Sequence, residues 1–411
     1  MKLLTKNNFH LQIEYYFILQ EVISSFKRRN FMAVNASISF FALFAFIPLI
    51  LLILFFFSQW LSSSTLTLDK LQNLTALLLP EMSGKVMEEV GKISSKKASW
   101  GFIWITLLFL GSTPLTAALR MSFNNIFSVK KKSAFIKSKI KDILAVTIIM
   151  VLLFSYTSIN IYLIQASNIF VSYIQLIEKT FIISILSFAL MVLVVSIFFK
   201  IFIPVKINNR YILYGGLVTS MIWFILSNTF GSFNYIGEFY GIFFGGMRGL
   251  FISLIWLYLN TAALLIGAEV IAAFHKKEIL LIKTLFTTKN IYSHPIHKNI
   301  RRKLMDYFGQ YLKKDEIIFS IGDNDQKLYF VIEGEVSIVK NSKVIEVISA
   351  GQYFGEQSLL NKVPRIASAY IISEWARIIV IPKKEMRQLL QEDNYITMEF
   401  LNRMAKKLHM V

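Results

Sequence analysis

Six long apolar runs in the first 275 residues constrain the fold of this chain more than any other feature. A helix needs about 20 mostly apolar residues to cross the hydrocarbon core of a bilayer. The runs therefore predict six transmembrane helices, at about 31–57, 100–119, 143–163, 181–199, 211–230 and 249–274.

The composition agrees with a membrane protein and excludes two other classes. Hydrophobic residues make up 55% and charged residues 17% of the 411 residues, whereas soluble domains average about 45–50% apolar and about 25% charged residues. The apolar excess also excludes a disordered chain. The sequence contains no Cys, so disulfides, thiol nucleophiles and Cys-based metal sites are absent.

Most of the net charge of +19 belongs to the apolar part of the chain. Residues 1–300 carry 27 Lys and Arg against 11 Asp and Glu, while residues 301–411 are nearly balanced. This distribution favours contact with anionic lipid headgroups over binding of nucleic acid. Basic residues also concentrate in alternate loops, such as 120–141 and 200–210, which predicts that both termini are cytoplasmic.

Residues 1–30 are predicted to form an amphipathic helix on the cytoplasmic membrane face. Apolar residues recur there at helical spacing, and three basic residues, Lys27, Arg28 and Arg29, follow. A helix with this pattern lies in the membrane interface instead of crossing it. The apolar positions are Leu11, Tyr15, Ile18, Val22 and Phe26.

The last third of the chain predicts a different architecture. From about residue 314 the apolar runs are short and β-rich, and turn pairs such as Gly322-Asp323 and Asn341-Ser342 separate them. This spacing is typical of a small β-barrel or jelly roll, and helical spacing returns after Pro382. The predicted fold is multi-domain: an all-α six-helix transmembrane bundle (31–275), a linker (276–300) and a cytoplasmic β-roll with flanking helices (301–411).

One segment of this β-roll has the residues needed to bind a cyclic phosphate. The sequence 355–359 is predicted to begin a short helix, and Arg365 follows Glu356 by nine residues. Arg presents a rigid fork of donors that matches a compact anion. Backbone N–H groups at the helix start add oriented donors, and a carboxylate accepts a hydrogen bond from a ribose hydroxyl.

This segment and the preceding strands resemble the cyclic nucleotide-binding domain family over about 300–411. The resemblance implies that Glu356 binds the ribose 2′-hydroxyl, that Arg365 binds the phosphate, and that a backbone N–H at Ser358 meets the phosphate. The candidate nucleotide-binding residues are Phe354, Gly355, Glu356, Gln357, Ser358, Leu359, Arg365, Ile366 and Ala367.

One departure from this family bears on the ligand. Ile366 stands where the family often has Ser, Thr or Ala, and a hydroxyl there is associated with guanine contacts. We therefore expect a preference for cAMP over cGMP, although the bulk of Ile366 would weaken binding. The alternative is a β-roll that has kept its fold and lost its ligand, and that acts as a protein-docking module.

The six apolar runs resemble the YihY/BrkB family of bacterial inner-membrane proteins over about 25–275. Matching stretches are 39–49 in the first run, 125–127 after the second, and Tyr240-Gly241, Gly245-Gly246 and Gly267-Ala268-Glu269 near the last. The resemblance implies a multi-pass protein of the bacterial inner membrane. The activity of this family is not settled; lipid or solute transport and envelope assembly as a scaffold both stay open.

Two intramembrane features are further functional candidates. Gly237, Gly241, Gly245 and Gly249 recur every four residues, so in a helix they would let another helix approach closely; a flexible outer loop or a moving hairpin is the alternative. Glu269 lies inside the sixth run, where an ionisable group is costly and often functional. It serves either a proton or solute pathway or a structural contact.

No enzyme motif is present in the sequence. It has no GxSxG, no Gly-rich phosphate loop with Lys, and no acid pair with a matching His. His294 and His297 are close in sequence, but a solvated linker explains them better than a metal site. The expected partners are a cyclic nucleotide and the bilayer, with no nucleic acid and no cofactor or metal, while homo-oligomerisation, the transported substrate and the direction of regulation are left open.

Overall fold

The computed structural model describes residues 18–58, 84, 102–129, 135–169, 176–244, 248–287, 295–361, 363–392, 396–398 and 400–402. These residues form two compact units, which meet in sequence between His275 and Lys276. The N-terminal unit is helical. The C-terminal unit contains all of the described strands.

Seven helices make up the described part of the N-terminal unit. A helix forms over each predicted run, and a shorter one precedes them. Their bounds are α1 (Ile18–Arg28), α2 (Phe31–Ser58), α3 (Phe102–Ile126), α4 (Phe135–Ile169), α5 (Leu176–Phe202), α6 (Asn209–Phe244) and α7 (Arg248–His275).

The described residues support three or four membrane spans. Ile182–Phe202, Asn209–Thr229 and Gly249–His275 are each long and apolar enough to cross a bilayer. The pair α1 and α2 passes the same test together but bends by 73° between the two helices. The bend falls at Asn30, whose φ of 50° is one that Asn tolerates better than most residues. The count of six spans stays a prediction.

α6 and α7 approach each other so closely that two glycines are required at their crossing. A Cβ added at Gly267 would lie 2.8 Å from the carbonyl oxygen of Gly215 and would overlap the Thr219 hydroxyl. A Cβ added at Gly215 would lie 2.6 Å from the carbonyl oxygen of Gly267. Small residues at helix crossings allow such backbone contact in membrane proteins.

Gly267→Ala should therefore lower the stability of the helical unit by roughly 1–3 kcal/mol, the usual range for overpacking. Thermal unfolding in detergent micelles measures this loss. Gly111→Ala is the control, because the nearest atom to its added Cβ is a proline side-chain carbon at 3.3 Å. Equal unfolding temperatures for the two variants would contradict the close crossing.

The predicted glycine stripe is divided between two helices. Gly237 and Gly241 lie near the end of α6, and Gly249 lies in the first turn of α7. Gly245 lies outside the described residues. The glycine contact that the described residues do contain is the Gly215–Gly267 crossing, which pairs positions 52 residues apart and leaves no local pattern in the sequence.

The C-terminal unit is a β-roll, as predicted, with helices on either side in sequence. Its strands form two four-stranded antiparallel sheets, ordered β1-β8-β3-β6 and β2-β7-β4-β5. The elements are α8 (Lys277–Thr287), α9 (Pro295–Phe308), β1 (Gly309–Lys313), β2 (Ile317–Phe319), β3 (Leu328–Glu333), β4 (Glu335–Lys340), β5 (Lys343–Ser349), β6 (Tyr353–Phe354), α10 (Glu356–Asn361), β7 (Ser368–Ile371), β8 (Trp375–Ile381) and α11 (Lys383–Glu392).

The segment predicted to be a linker contributes to the core of this unit. Within 276–300, α8 buries Ile279, Ile282 and Leu285 in a cluster that also contains residues of β3, β8, α10 and α11. These three residues recur every third position, which places them on one face of a helix. Lys283 lies among them in sequence, and Lys277 precedes them.

Candidate functional site

The segment from Gly355 to Ala367, called the cassette from here on, follows β6. It turns sharply at Gly355. Its φ is +87°, a value that favours glycine. A Cβ at this position would lie 2.6 Å from Nη1 of Arg365 and 3.2 Å from the carbonyl oxygen of Lys327. Gly355 therefore serves two purposes: it allows the turn into α10, and it leaves room for the guanidinium of Arg365.

Arg365 lies at the centre of the cassette and is 4% exposed. Its Nη1 donates to the carbonyl oxygen of Gly355 at 2.8 Å, and its Nη2 donates to that of Lys327 at 2.7 Å. The guanidinium carbon lies 4.1 Å from the centre of the Phe319 ring. Nε is buried and has no hydrogen-bond partner among the described residues. The arginine is thus held rigidly while one of its donors stays unused.

Asp325 is the carboxylate nearest to Arg365 among the described ion pairs. Its Oδ2 lies 3.4 Å from Nη2 of Arg365, a long contact for a charged hydrogen bond. The same oxygen accepts a hydrogen bond from the Tyr329 hydroxyl. Burial raises the pKa of the Tyr329 phenol above its ordinary value, and the hydrogen bond to Asp325 raises that pKa further. Tyr329 is therefore a donor throughout the physiological pH range.

The predicted binding residues divide into three groups. Glu356 and Ser358 are buried at the start of α10 beside Gly355 and Arg365, and the Ser358 hydroxyl lies 3.3 Å from the Asp325 carbonyl oxygen. The side chains of Gln357 and Ile366 are exposed. The other three residues are buried and support the cassette from within the roll: Phe354, Leu359 and Ala367.

The exposure of Ile366 bears on the expected ligand. Its side chain is 45% exposed, although Arg365 beside it is buried. The expectation that its bulk weakens ligand binding stays a prediction.

Asp325 was missing from the residues predicted from sequence. It lies in the loop between β2 and β3 and looked like one more polar residue of the turn that begins at Gly322. A signal did exist, because a buried arginine in a β-roll requires a nearby acceptor or anion. The sequence does not show that this loop folds onto the cassette 40 residues later.

Within the helical unit, the structure pairs Glu269 with Arg29. Nη1 of Arg29 lies 2.7 Å from both carboxylate oxygens of Glu269. The two side chains are 17% and 5% exposed, respectively. Arg29 stands at the bend between α1 and α2, so this ion pair fixes the start of the unit to its last helix. A role of Glu269 in a proton or solute pathway stays a prediction.

The C-terminal end of α7, which contains Glu269, also contacts α1 through apolar side chains. Ile18 and Val22 of α1 are buried against Ala273 and Phe274. The predicted amphipathic helix is thus helical from Ile18 to Arg28, and its earlier positions Leu11 and Tyr15 lie outside the described residues.

The described residues contain no group of three His, Asp or Glu side chains arranged to hold a metal ion. His297 lies in the first turn of α9. His294, the other half of the pair considered from the sequence, lies outside the described part of the chain.

Two protein-family models match the sequence. Residues 22–285 match the family "Virulence factor BrkB", and residues 310–393 match "Cyclic nucleotide-binding domain". The first match covers more than half of the chain.

Curated relatives match one part of the chain or the other. The putative ribonuclease-like protein YfkH of Bacillus subtilis is 23% identical over 64% of this chain and 96% of its own length. The cGMP-dependent protein kinase isozyme 1 of Drosophila melanogaster is 29% identical over 22% of this chain, and the chain spans only 12% of that kinase. Among solved structures, the Thermus thermophilus catabolite activator protein is 22% identical over 27% of this chain and 54% of its own, with a TM-score of 0.25.

Proposed function

Because the chain belongs to the BrkB family of membrane proteins and carries a cyclic nucleotide-binding domain at its C-terminal end, we propose that it is a membrane protein regulated by a cyclic nucleotide. The regulated activity is a transport or envelope function of the helical unit. The protein resides in the bacterial inner membrane with both termini in the cytoplasm, where the nucleotide, cAMP, reaches the β-roll. It is not an enzyme.

The environment of the buried Arg365 guanidinium is the single observation that carries this proposal. A buried guanidinium is costly unless an anion and enough acceptors compensate it. Its two closest acceptors among the described residues are neutral carbonyls, its contact with Asp325 is long, and its Nε has no partner there. A cyclic phosphate would add a compact negative charge and further acceptors to the ones that this arginine already has.

The core of the C-terminal unit offers a route for regulation. Leu359 of the cassette helix belongs to the same buried cluster as Ile282 of α8, Leu304 of α9 and Phe400. A ligand that moves α10 would therefore act on a core that both flanking segments share. Along the chain, only Lys276 separates α8 from α7, the last helix of the membrane unit.

Calorimetric titration of the full-length protein with cAMP and cGMP tests the proposal. We expect cAMP to bind more tightly than cGMP. A folded protein that binds neither nucleotide would contradict the proposal.

Amide hydrogen exchange tests the coupling. Saturation with cAMP at 100 times its Kd stabilises the liganded unit by about 2.7 kcal/mol, so amides that exchange by its global unfolding should slow by up to about 100-fold. We expect this protection in α8 as well as in the cassette, and 5′-AMP serves as the control ligand. Protection confined to the cassette would contradict transmission through α8.

A second candidate is supported by the surface of the β-roll. Among the described strands, β5 lies at the edge of its sheet, and three of its apolar side chains, Val344, Ile345 and Val347, are exposed. An exposed apolar edge strand is a site where another chain can add a strand. In this alternative the protein is a membrane scaffold or envelope assembly factor, and its β-roll docks a partner without a nucleotide. A partner recovered in equal amounts with and without cAMP would favour it.

A further inference from the structure

The helical unit contains a cavity of about 450 Å³ between four of its helices. Its walls come from α4, α5, α6 and α7, through residues such as Tyr156, Phe188, Phe224 and Trp256. The walls from α5, α6 and α7 fall within the three segments that are long and apolar enough to span a bilayer. The cavity therefore lies at the depth of the hydrocarbon core.

The walls of the cavity are chemically suited to a hydrocarbon. Among the described residues, no Asp, Glu, Lys, Arg or His lines it. Several of its polar groups already bind backbone carbonyls: Trp223 Nε1 donates to Asn260 O at 3.0 Å, Asn260 Nδ2 donates to Trp256 O at 2.7 Å, and Ser227 Oγ donates to Phe224 O at 2.9 Å. An occupant without hydrogen-bonding groups leaves these donors satisfied, whereas a polar occupant would compete with bonds already made.

The cavity opens onto the outer surface of the helical unit. Phe224, which lines it, is 47% exposed, and the neighbouring wall residue Ser227 is exposed as well. In a membrane, lipid tails cover this surface of a spanning helix. An occupant can therefore enter sideways from the bilayer without crossing water.

We propose that this cavity binds one acyl chain of a bilayer phospholipid, with the headgroup outside. Its volume falls within the range of about 300–1,000 Å³ that is typical of ligand pockets. Because lipid tails are as apolar as the cavity walls, the chain gains no hydrophobic transfer energy on entry, and binding depends on packing. The aromatic walls then select the chain by its shape.

This inference gives a ligand class to the helical unit and deepens the proposed transport or envelope function. It rests on the membrane part of that proposal and is independent of nucleotide binding. Its test is therefore made without any cyclic nucleotide, so that a failure here leaves the role of the β-roll untouched.

Photolabelling in vesicles tests the cavity directly. The full-length protein is placed in vesicles of phosphatidylethanolamine and phosphatidylglycerol that contain a phosphatidylethanolamine with a diazirine in one acyl chain. After irradiation, mass spectrometry maps the labelled peptides. We expect the segments that line the cavity to be labelled more strongly than exposed positions elsewhere on the same helices.

Tryptophan substitutions that fill the cavity are compared with a tryptophan substitution outside it. Val194→Trp should reduce labelling of the cavity at least about fivefold, because the large indole occupies the space of the chain. Leu193→Trp is the matched control: it is the adjacent residue, it is 53% exposed, and it does not line the cavity. Ser227→Trp, at the exposed rim, repeats the test without burdening the packed core.

Three results would overturn the proposal. One is labelling that is uniform over all bilayer-facing positions. Another is cavity labelling that neither Val194→Trp nor Ser227→Trp reduces relative to Leu193→Trp. The third is a native mass spectrum of the purified protein that shows bound free fatty acid in place of phospholipid, because it would assign the acyl chain to a different source.

Discussion

Arg365→Ala should weaken the binding of cAMP to the full-length protein by at least about 30-fold. Loss of one partner from a buried, hydrogen-bonded charge pair costs about 2–5 kcal/mol, and about 2 kcal/mol corresponds to that factor in Kd. Arg365 is the buried arginine of the cassette, and its Nε has no hydrogen-bond partner among the described residues, so its removal takes away the proposed phosphate contact. Calorimetric titration of the variant measures the change.

Two further variants separate ligand binding from folding. Arg377→Ala removes a positive charge from β8 of the same roll, where the side chain is 42% exposed and pairs with Glu333 at 3.3 Å, so its affinity for cAMP should stay close to that of the wild type. Arg365→Lys keeps the charge but loses the planar fork, so its affinity should fall between the other two. If Arg365→Ala bound cAMP as tightly as Arg377→Ala does, Arg365 would not contact the phosphate.

Glu269→Gln should destabilise the helical unit by roughly 3 kcal/mol. This is the lower end of the usual cost of removing one member of a buried ion pair, because this pair is partly buried and the remaining charge loses its partner. Here the remaining charge would be Arg29, whose side chain is 17% exposed. Thermal unfolding in detergent micelles measures the loss, and proteolysis at the bend between α1 and α2 should become faster.

A neighbouring ion pair provides the matched control. Arg28, the residue before Arg29, pairs with Glu21, and those side chains are 31% and 14% exposed. Glu21→Gln should cost no more than about 1 kcal/mol, as exposed pairs do. The double variant Arg29→Gln/Glu269→Gln should regain part of the stability lost by Glu269→Gln alone. No recovery would show that Glu269 stabilises the protein by some other contact.

Local patterns in the sequence were sufficient to predict the β-roll. Asn341-Ser342 was assigned to a turn, and the structure places these two residues between β4 and β5 with φ values of 53° and 62°. Positive φ at both central residues is the signature of a tight hairpin. Gly322-Asp323 likewise precedes β3. Turn chemistry acts over a few residues, so a sequence shows it directly.

Contacts between distant segments were not predictable in the same way. Glu269 stood out because an acid is unusual in an apolar run, but its partner Arg29 is 240 residues away and was grouped with the interfacial basic residues. Asp325 was missed for the same reason. The close approach of Gly215 to Gly267 depends on how two helices cross, and the sequence of either helix alone does not contain that information.

The ion pair between Arg29 and Glu269 also has a consequence for the order in which the protein assembles during synthesis. Arg29 leaves the ribosome 240 residues before Glu269. The ion pair that fixes α1 to α7 therefore cannot form until the intervening helices have been synthesised. During that time the exposed apolar side chains of α1, Leu19 and Ile23, suit it to rest on lipid. A chain that is truncated before Glu269 leaves Arg29 without this counter-ion. The absence of the ion pair therefore distinguishes an incomplete helical unit from a complete one.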